Sequence, residues 1–133
     1  MTTYDLDLPL ARTGKGQVAP GPPLHANQRL HWRAERTAKK LVRDTAHWRA
    51  LDAKIPPAQH ITVQVHYLPG DNRRRDPSNL MPTQKAAVDG IVRAGVVPDD
   101  SPEYVTELMP TIHTGPSDRR LWLRITTRKD TPQ

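Results

Sequence analysis

Proline and glycine decide where this chain can hold regular structure. Fourteen prolines and seven glycines are spread through it, and each proline lacks a backbone donor and breaks a helix interior. The run Trp32–Leu51 contains neither residue. Within it Ala34, Ala38, Leu41, Thr45 and Trp48 recur at steps of four and three, which predicts a helix with that set as its buried stripe. Arg36, Lys40, Arg43 and His47 form a basic stripe beside it.

The other elements follow from similar signals. Tyr4–Leu8 alternates as a half-buried strand does, with Leu6, Leu8 and Leu10 on one side. Residues 9–28 hold clustered Pro and Gly and read as a surface loop. After Pro56-Pro57, the residues Ile61, Val63 and Val65 alternate with Thr62, Gln64 and His66 as a second strand. Asn79–Ala94 reads as a second helix with Leu80, Val88, Ile91 and Val92 buried, Ser78 or a near neighbour as its cap, and Gly95 as its stop. Pro82 is tolerated in its first turn. Tyr104–His113 and Leu121–Thr127 are strand-like, and the turn residues 114–118 between them predict a hairpin. The order β-α-β-α-β-β predicts a single α+β domain over residues 1–133, a mixed four-stranded sheet with two main helices, and a frayed tail from Lys129 to Gln133.

A chain of 133 residues supports one core and buries roughly two-thirds of its unfolded surface. With no Phe and 35% apolar residues that core is thin, and burying a face in a homodimer would help it. A formal charge of +6 and a pI near 10.1 favour a polyanionic partner. The absence of cysteine removes disulfides and thiolate zinc sites. No membrane-length apolar run or secretory leader is seen, so a soluble protein of the cytoplasm is expected, with no membrane partner.

The chemistry-bearing residues cluster in Arg73-Arg74-Arg75-Asp76-Pro77-Ser78-Asn79-Leu80, then Lys85, Asp89 and Asp99-Asp100. A carboxylate after a strand, another in the following helix and an acid pair beyond it can converge at one end of a sheet. Magnesium and manganese prefer oxygen donors and keep several waters, and such an ion activates water for attack on a phosphodiester. Three arginines beside the acids would draw the phosphate in. Two plainer explanations stand beside this one. Asp76 and Asp99 cap turns, or the arginines neutralise Asp71 and Asp76. Lys85 and Asp89 share a helix face, where they form an exposed ion pair or turn Lys85 toward a developing negative charge. Arg36, Lys40 and Arg43 are a solvated face or a DNA contact. The six histidines show no HxH or HExxH grouping, no phosphate-binding glycine motif or nucleophile elbow is present, and Trp32, Trp48 and Trp122 read as core residues.

The set Arg73–Asp76, Asn79-Leu80, Gln84–Asp89, Ala94-Gly95 and Asp99-Asp100, in that order, resembles the signature of RusA-type Holliday junction resolvases. Asn27-Gln28-Arg29 is similar to a short Asn-rich segment of that family. The resemblance spans most of the chain and is sharpest from Arg73 to Asp100. It implies a RusA-like fold and a homodimeric endonuclease, common in phages and prophages, that nicks four-way DNA junctions with Mg2+ or Mn2+ during recombination and repair. It assigns Asp76, Lys85 and Asp100 to catalysis. It assigns Asp76, Asp99 and Asp100 to the metal, with Ser78 weakly or through water and Asp89 in support. Contacts to DNA would come from Arg73, Arg74, Arg75, Asn27, Arg29 and Asn79, with Arg36, Lys40 and Arg43.

Two departures matter. The family carries an acid where Ser78 stands, and Met81-Pro82-Thr83 adds nearly one helical turn before Gln84-Lys85. The first weakens metal affinity, so a junction-binding relative without catalysis is the alternative reading. A basic interaction protein with no nucleic-acid role is a third.

Overall fold

Strand β2 (His60–Leu68) stands at the centre of a five-stranded mixed sheet in this computed structural model, which describes residues 1–10, 32–72, 74–115 and 118–128. On one side β2 pairs antiparallel with β5 (Arg120–Arg128), and β5 pairs antiparallel with β1 (Thr2–Asp7). On the other side β2 pairs parallel with two short segments, β3 (Val105–Glu107) and β4 (Thr111–Ile112). Helix α1 (Trp32–Asp52) joins the β1 side to β2, and α2 (Met81–Arg93) lies between β2 and β3. The chain is an α+β domain with both helices on one face of the sheet. The expected loop 9–28 lies outside the described residues from residue 11 onward, as do residues 129–133. Among the described residues no helix is long and apolar enough to cross a membrane.

Period-two alternation explains the sheet. Ile61, Val63, Val65 and Tyr67, with Leu121, Leu123, Ile125, Leu6 and Leu8, are at most 6% exposed. They share one core cluster with Val42, Ala46 and Ala50 of α1 and Ala86, Ala87, Val88 and Ile91 of α2. Each buried Val, Leu or Ile contributes roughly 1.5–3 kcal/mol. Gly95 ends α2 with φ +84°, and its N–H bonds the carbonyl of Val92 at 3.0 Å, as a glycine past a helix end does.

Three expectations need correction. The hairpin over Tyr104–His113 and Leu121–Thr127 does not form, because β4 and β5 lie on opposite sides of β2. Pro110, with no N–H for a ladder, lies in the break between β3 and β4, so the sheet has five strands rather than four. The expected cap, Ser78 or a near neighbour, is Asp76: its Oδ1 accepts from Ser78 N at 3.0 Å and caps a 3-10 turn (Pro77–Leu80) that leads into α2, which has no side-chain cap of its own.

The third correction concerns α1. Val42, Ala46 and Ala50 are its buried residues, whereas Leu41 and Trp48 are 44% and 65% exposed. The cause is the crossing with α2. A Cβ on Gly90 would lie 2.2 Å from the Arg43 carbonyl oxygen, 2.9 Å from His47 N and 3.0 Å from Ala46 Cβ. Backbones approach this closely only across alanine and glycine, so the bulky residues of α1 turn outward.

Trp122 is buried, but on the face away from the helices. Its ring lies nearly parallel to those of His66 and His113, with centroids 5.2 and 5.3 Å away, and the Arg120 guanidinium sits 4.5 Å over it. His66 Nδ1 and His113 Nε2 are 2.8 Å apart, so one ring donates to the other. Burial holds the His66 pKa below its ordinary value, Arg124 and His113 lower it further, and Asp5 opposes them.

Two outcomes follow from this packing. Gly90→Ala forces the helices apart and should cost about 2–3 kcal/mol, read as a lower urea midpoint at unchanged slope. His66 is neutral in the fold, while the unfolded chain takes up its proton below about pH 6.5. Stability supplied by His66 is therefore complete above that pH and declines as pH falls through the window below it. His66→Phe should flatten this part of the stability profile, measured by urea titration at successive pH values.

Candidate functional site

The segment from Asp76 to Asp100 lies between β2 and β3, and α2 carries its middle along α1. Two hollows open between the helices. The larger, about 560 Å³, is lined by Glu35, Lys39 and Arg43 of α1 and by Ser78, Lys85 and Asp89 among others. The smaller, about 320 Å³, is lined by Arg43, Asp89 and Arg93 with Asp99 and Asp100. They share Arg43 and Asp89 as a common border, so they adjoin as a groove interrupted at those two side chains, with Ser78 lining the first part and the Asp99-Asp100 pair the second.

Lys85 and Asp89 sit one turn apart on exposed positions of α2 and make no ion pair with each other or with any other described residue. The ammonium of Lys85 is thus uncommitted in the groove. Asp76 is not part of the groove lining, but its carboxylate bonds Ser78, which is. The backbone N–H of Ser78, and then its hydroxyl, hold the Asp76 pKa below the ordinary carboxylate value. Asp76 is ionised at neutral pH. Asp99 likewise accepts from Ser101 N at 3.2 Å, so both acids cap turns while keeping a second oxygen.

The basic residues divide. Arg75 forms a two-pronged pair with Asp71 and lies 6.0 Å from the Tyr67 ring centroid, which is the neutralisation anticipated for Asp71. Arg74 is exposed. Arg36 and Lys40 are exposed on α1, and only Arg43 of that stripe reaches the groove. Asn79 is half-buried in the 3-10 turn. Arg73, Asn27 and Arg29 lie outside the described residues, and so does the side chain of Trp32.

Asp89, Asp99 and Asp100 line one hollow, yet among the described residues no three acids or histidines stand close enough to hold one ion together. The donors are all carboxylate oxygens. They suit a hard cation that keeps most of its water and takes one or two protein carboxylates, with a phosphate completing its shell. They do not suit an ion caged wholly by protein.

Gln84 was not anticipated as a structural residue. It is 0% exposed, its Oε1 accepts from Val65 N at 2.8 Å, and its Nε2 donates to the Leu108 carbonyl at 3.0 Å. Gln84 fills the break in the edge ladder that separates β3 from β4, and Gln64 stitches it as well, through Met109 O and Thr111 Oγ1. The sequence signal was a lone amide beside the buried run Ala86-Ala87-Val88. Because it ties the first turn of α2 to β2, it also fixes where Lys85 begins.

No protein-family model matches the chain, and no curated protein matches it either.

Replacing Gln84 by Leu leaves the Val65 N–H buried without a partner and takes the donor from the part-buried Leu108 carbonyl. At about 1–3 kcal/mol for each such group, Gln84→Leu should lower stability by roughly 2–4 kcal/mol and abolish the slow hydrogen exchange of the Val65 amide.

Proposed function

We propose that this chain is a metal-dependent endonuclease acting on branched DNA, as the resemblance to RusA-type resolvases implies, with four-way junctions as substrate and a homodimer as the working unit. The observation that carries the reading is the uncommitted ammonium of Lys85, set between Ser78 and Asp89 in a groove that ends at Asp99-Asp100. A lysine beside acids with no partner of its own suits a phosphate better than a structural ion pair. The charge of +6 and the absence of cysteine agree with a cytoplasmic DNA-binding protein.

In this reading Asp76, Asp99 or Asp100, supported by Asp89 and Ser78, would hold Mg2+ or Mn2+, which would supply an activated water and offset phosphate charge. Lys85 donates to a non-bridging phosphate oxygen and stabilises the charge that develops during attack. Ser78 holds Asp76 ionised and oriented by its two hydrogen bonds. Arg73, Arg74 and Asn79 guide the strand toward the groove.

A second reading rests on Ser78, which stands where the family has an acid. It describes a protein that binds junctions without cutting them.

A gel assay on a mobile four-way junction and a matching linear duplex, with Mg2+, Mn2+ or EDTA, separates these. The nuclease reading expects symmetric nicking of the junction alone, abolished by EDTA and by Asp76→Asn. That variant keeps the turn cap, because asparagine caps as well as aspartate. Lys85→Ala should slow cleavage by about 10²–10³-fold. Junction binding without cleavage, with cleavage appearing in Ser78→Asp, would favour the silent relative. A chain that binds no DNA at any salt would leave a basic protein with some other partner.

A further inference from the structure

Of the basic stripe on α1, one residue is held differently from the rest. The backbone of Arg43 is pinned where the helices cross, against Gly90 of α2. Its side chain borders both hollows of the groove, with Asp89 on the same border. The Nε atom is shut off from water and has no hydrogen-bond partner. The carboxylate it meets within ion-pair range is Asp44 Oδ1 at 3.8 Å, which is too long for a hydrogen bond. A guanidinium is a fork of donors in one plane, and a fork fixed in place without its own carboxylate is a receptor for a tetrahedral oxyanion.

We propose that Arg43 is the phosphate anchor of the groove, taking a backbone phosphate of a DNA strand laid between α1 and α2, next to the phosphate that Lys85 faces. This rests on the branched-DNA reading and adds the residue that sets the strand's register. Arg93 lines the second hollow beside Arg43, while Lys39 in the first is paired with Glu35 at 3.1 Å. Arg36 and Lys40 lie on the exposed side of α1 and are not part of the groove. The Arg43 side chain keeps 28% of its surface exposed, so the phosphate meets the outer end of the guanidinium while Nε stays shut off. The crossing at Gly90 fixes the backbone from which the Arg43 side chain reaches the groove.

The test is equilibrium binding of a synthetic four-way junction across a salt series, without divalent cation, for the wild type, Arg43→Gln, Arg43→Lys and Asp44→Asn. Arg43→Gln should weaken binding about tenfold and reduce the slope of log K against log salt by about one, the signature of one lost phosphate contact. Arg43→Lys should keep the slope but not the full affinity, because the charge remains and the fork does not. Asp44→Asn should bind like the wild type. Wild-type affinity and slope in Arg43→Gln would overturn the proposal. If that variant does not fold, full wild-type affinity in Arg43→Lys would overturn it equally. Because the readout is binding, a wild type that binds without cutting removes the nuclease reading and leaves the Arg43 result decisive, whereas a wild type that binds no junction removes both.

Discussion

Parallel pairing of β2 with β3 and β4 is the constraint on which the rest of the structure depends. Parallel neighbours cannot be joined by a tight turn and need a long crossover. Here the crossover runs from the end of β2 at Leu68 to the start of β3 at Val105, and it carries Asp76, Ser78, Lys85, Asp89, Asp99 and Asp100. Topology alone therefore brings these residues to one helix and its two ends. The same pairing creates the weakness that Gln84 repairs. An edge strand interrupted near Pro110 leaves Val65 N of β2 and the Leu108 carbonyl of the edge segment without ladder partners, and the Gln84 amide of the crossover helix accepts from the first and donates to the second.

The second determinant is size at the helix crossing. Gly90, Ala46 and the Arg43 carbonyl are in direct contact distance, so the spacing of the two helices that carry the groove is set by backbone. This explains how a core with no Phe can hold a defined cleft. The helices are close because their contact residues are small, and side chains on either side of the contact line are left to border open space. Arg43 and Asp89 are adjacent to the contact for that reason, Asp89 being the neighbour of Gly90 in sequence.

Much of the fold was legible in the sequence where one periodicity dominated. The alternation in Ile61–Val65 and in Leu121–Thr127, the buried set Leu80, Val88 and Ile91, and the Gly95 stop are all present in the structure. The stripe on α1 was misread because that helix has two apolar faces, and residue size pointed to Leu41 and Trp48, while the tight crossing selected Val42, Ala46 and Ala50. The hairpin was misread because turn residues between two strand-like segments report a reversal but not which neighbour each strand takes. Asp76 was legible both as a turn cap and as a candidate ligand, and a carboxylate has oxygens enough for both. The Gln84 bridge and the separation of Arg43 from Arg36 and Lys40 depend on contacts across tens of residues, which no local pattern encodes.

The charge arrangement of the groove bears on how a DNA strand would be selected. Lys39, Arg43, Lys85 and Arg93 stand against Glu35, Asp89, Asp99 and Asp100 along its lining, four cations and four acids. Four minus four leaves the groove neutral among the described residues, so they place no net share of the chain's +6 there. Long-range attraction of a polyanion then belongs to the outer basic residues, Arg36, Lys40 and Arg74 among them, and is not specific for sequence or shape. Entry into the groove is a different matter, because a phosphate that approaches Lys85 or Arg43 also approaches Asp89 and the Asp99-Asp100 pair. Were Asp89, Asp99 and Asp100 neutralised by a bound cation, Arg43, Lys85 and Arg93 would face the strand unopposed, while Lys39 stays paired with Glu35 at 3.1 Å. Cation and phosphate affinities for the groove are linked on this account, each raising the other by the same factor. Such coupling confines firm seating of the strand to the state in which the acids are already engaged.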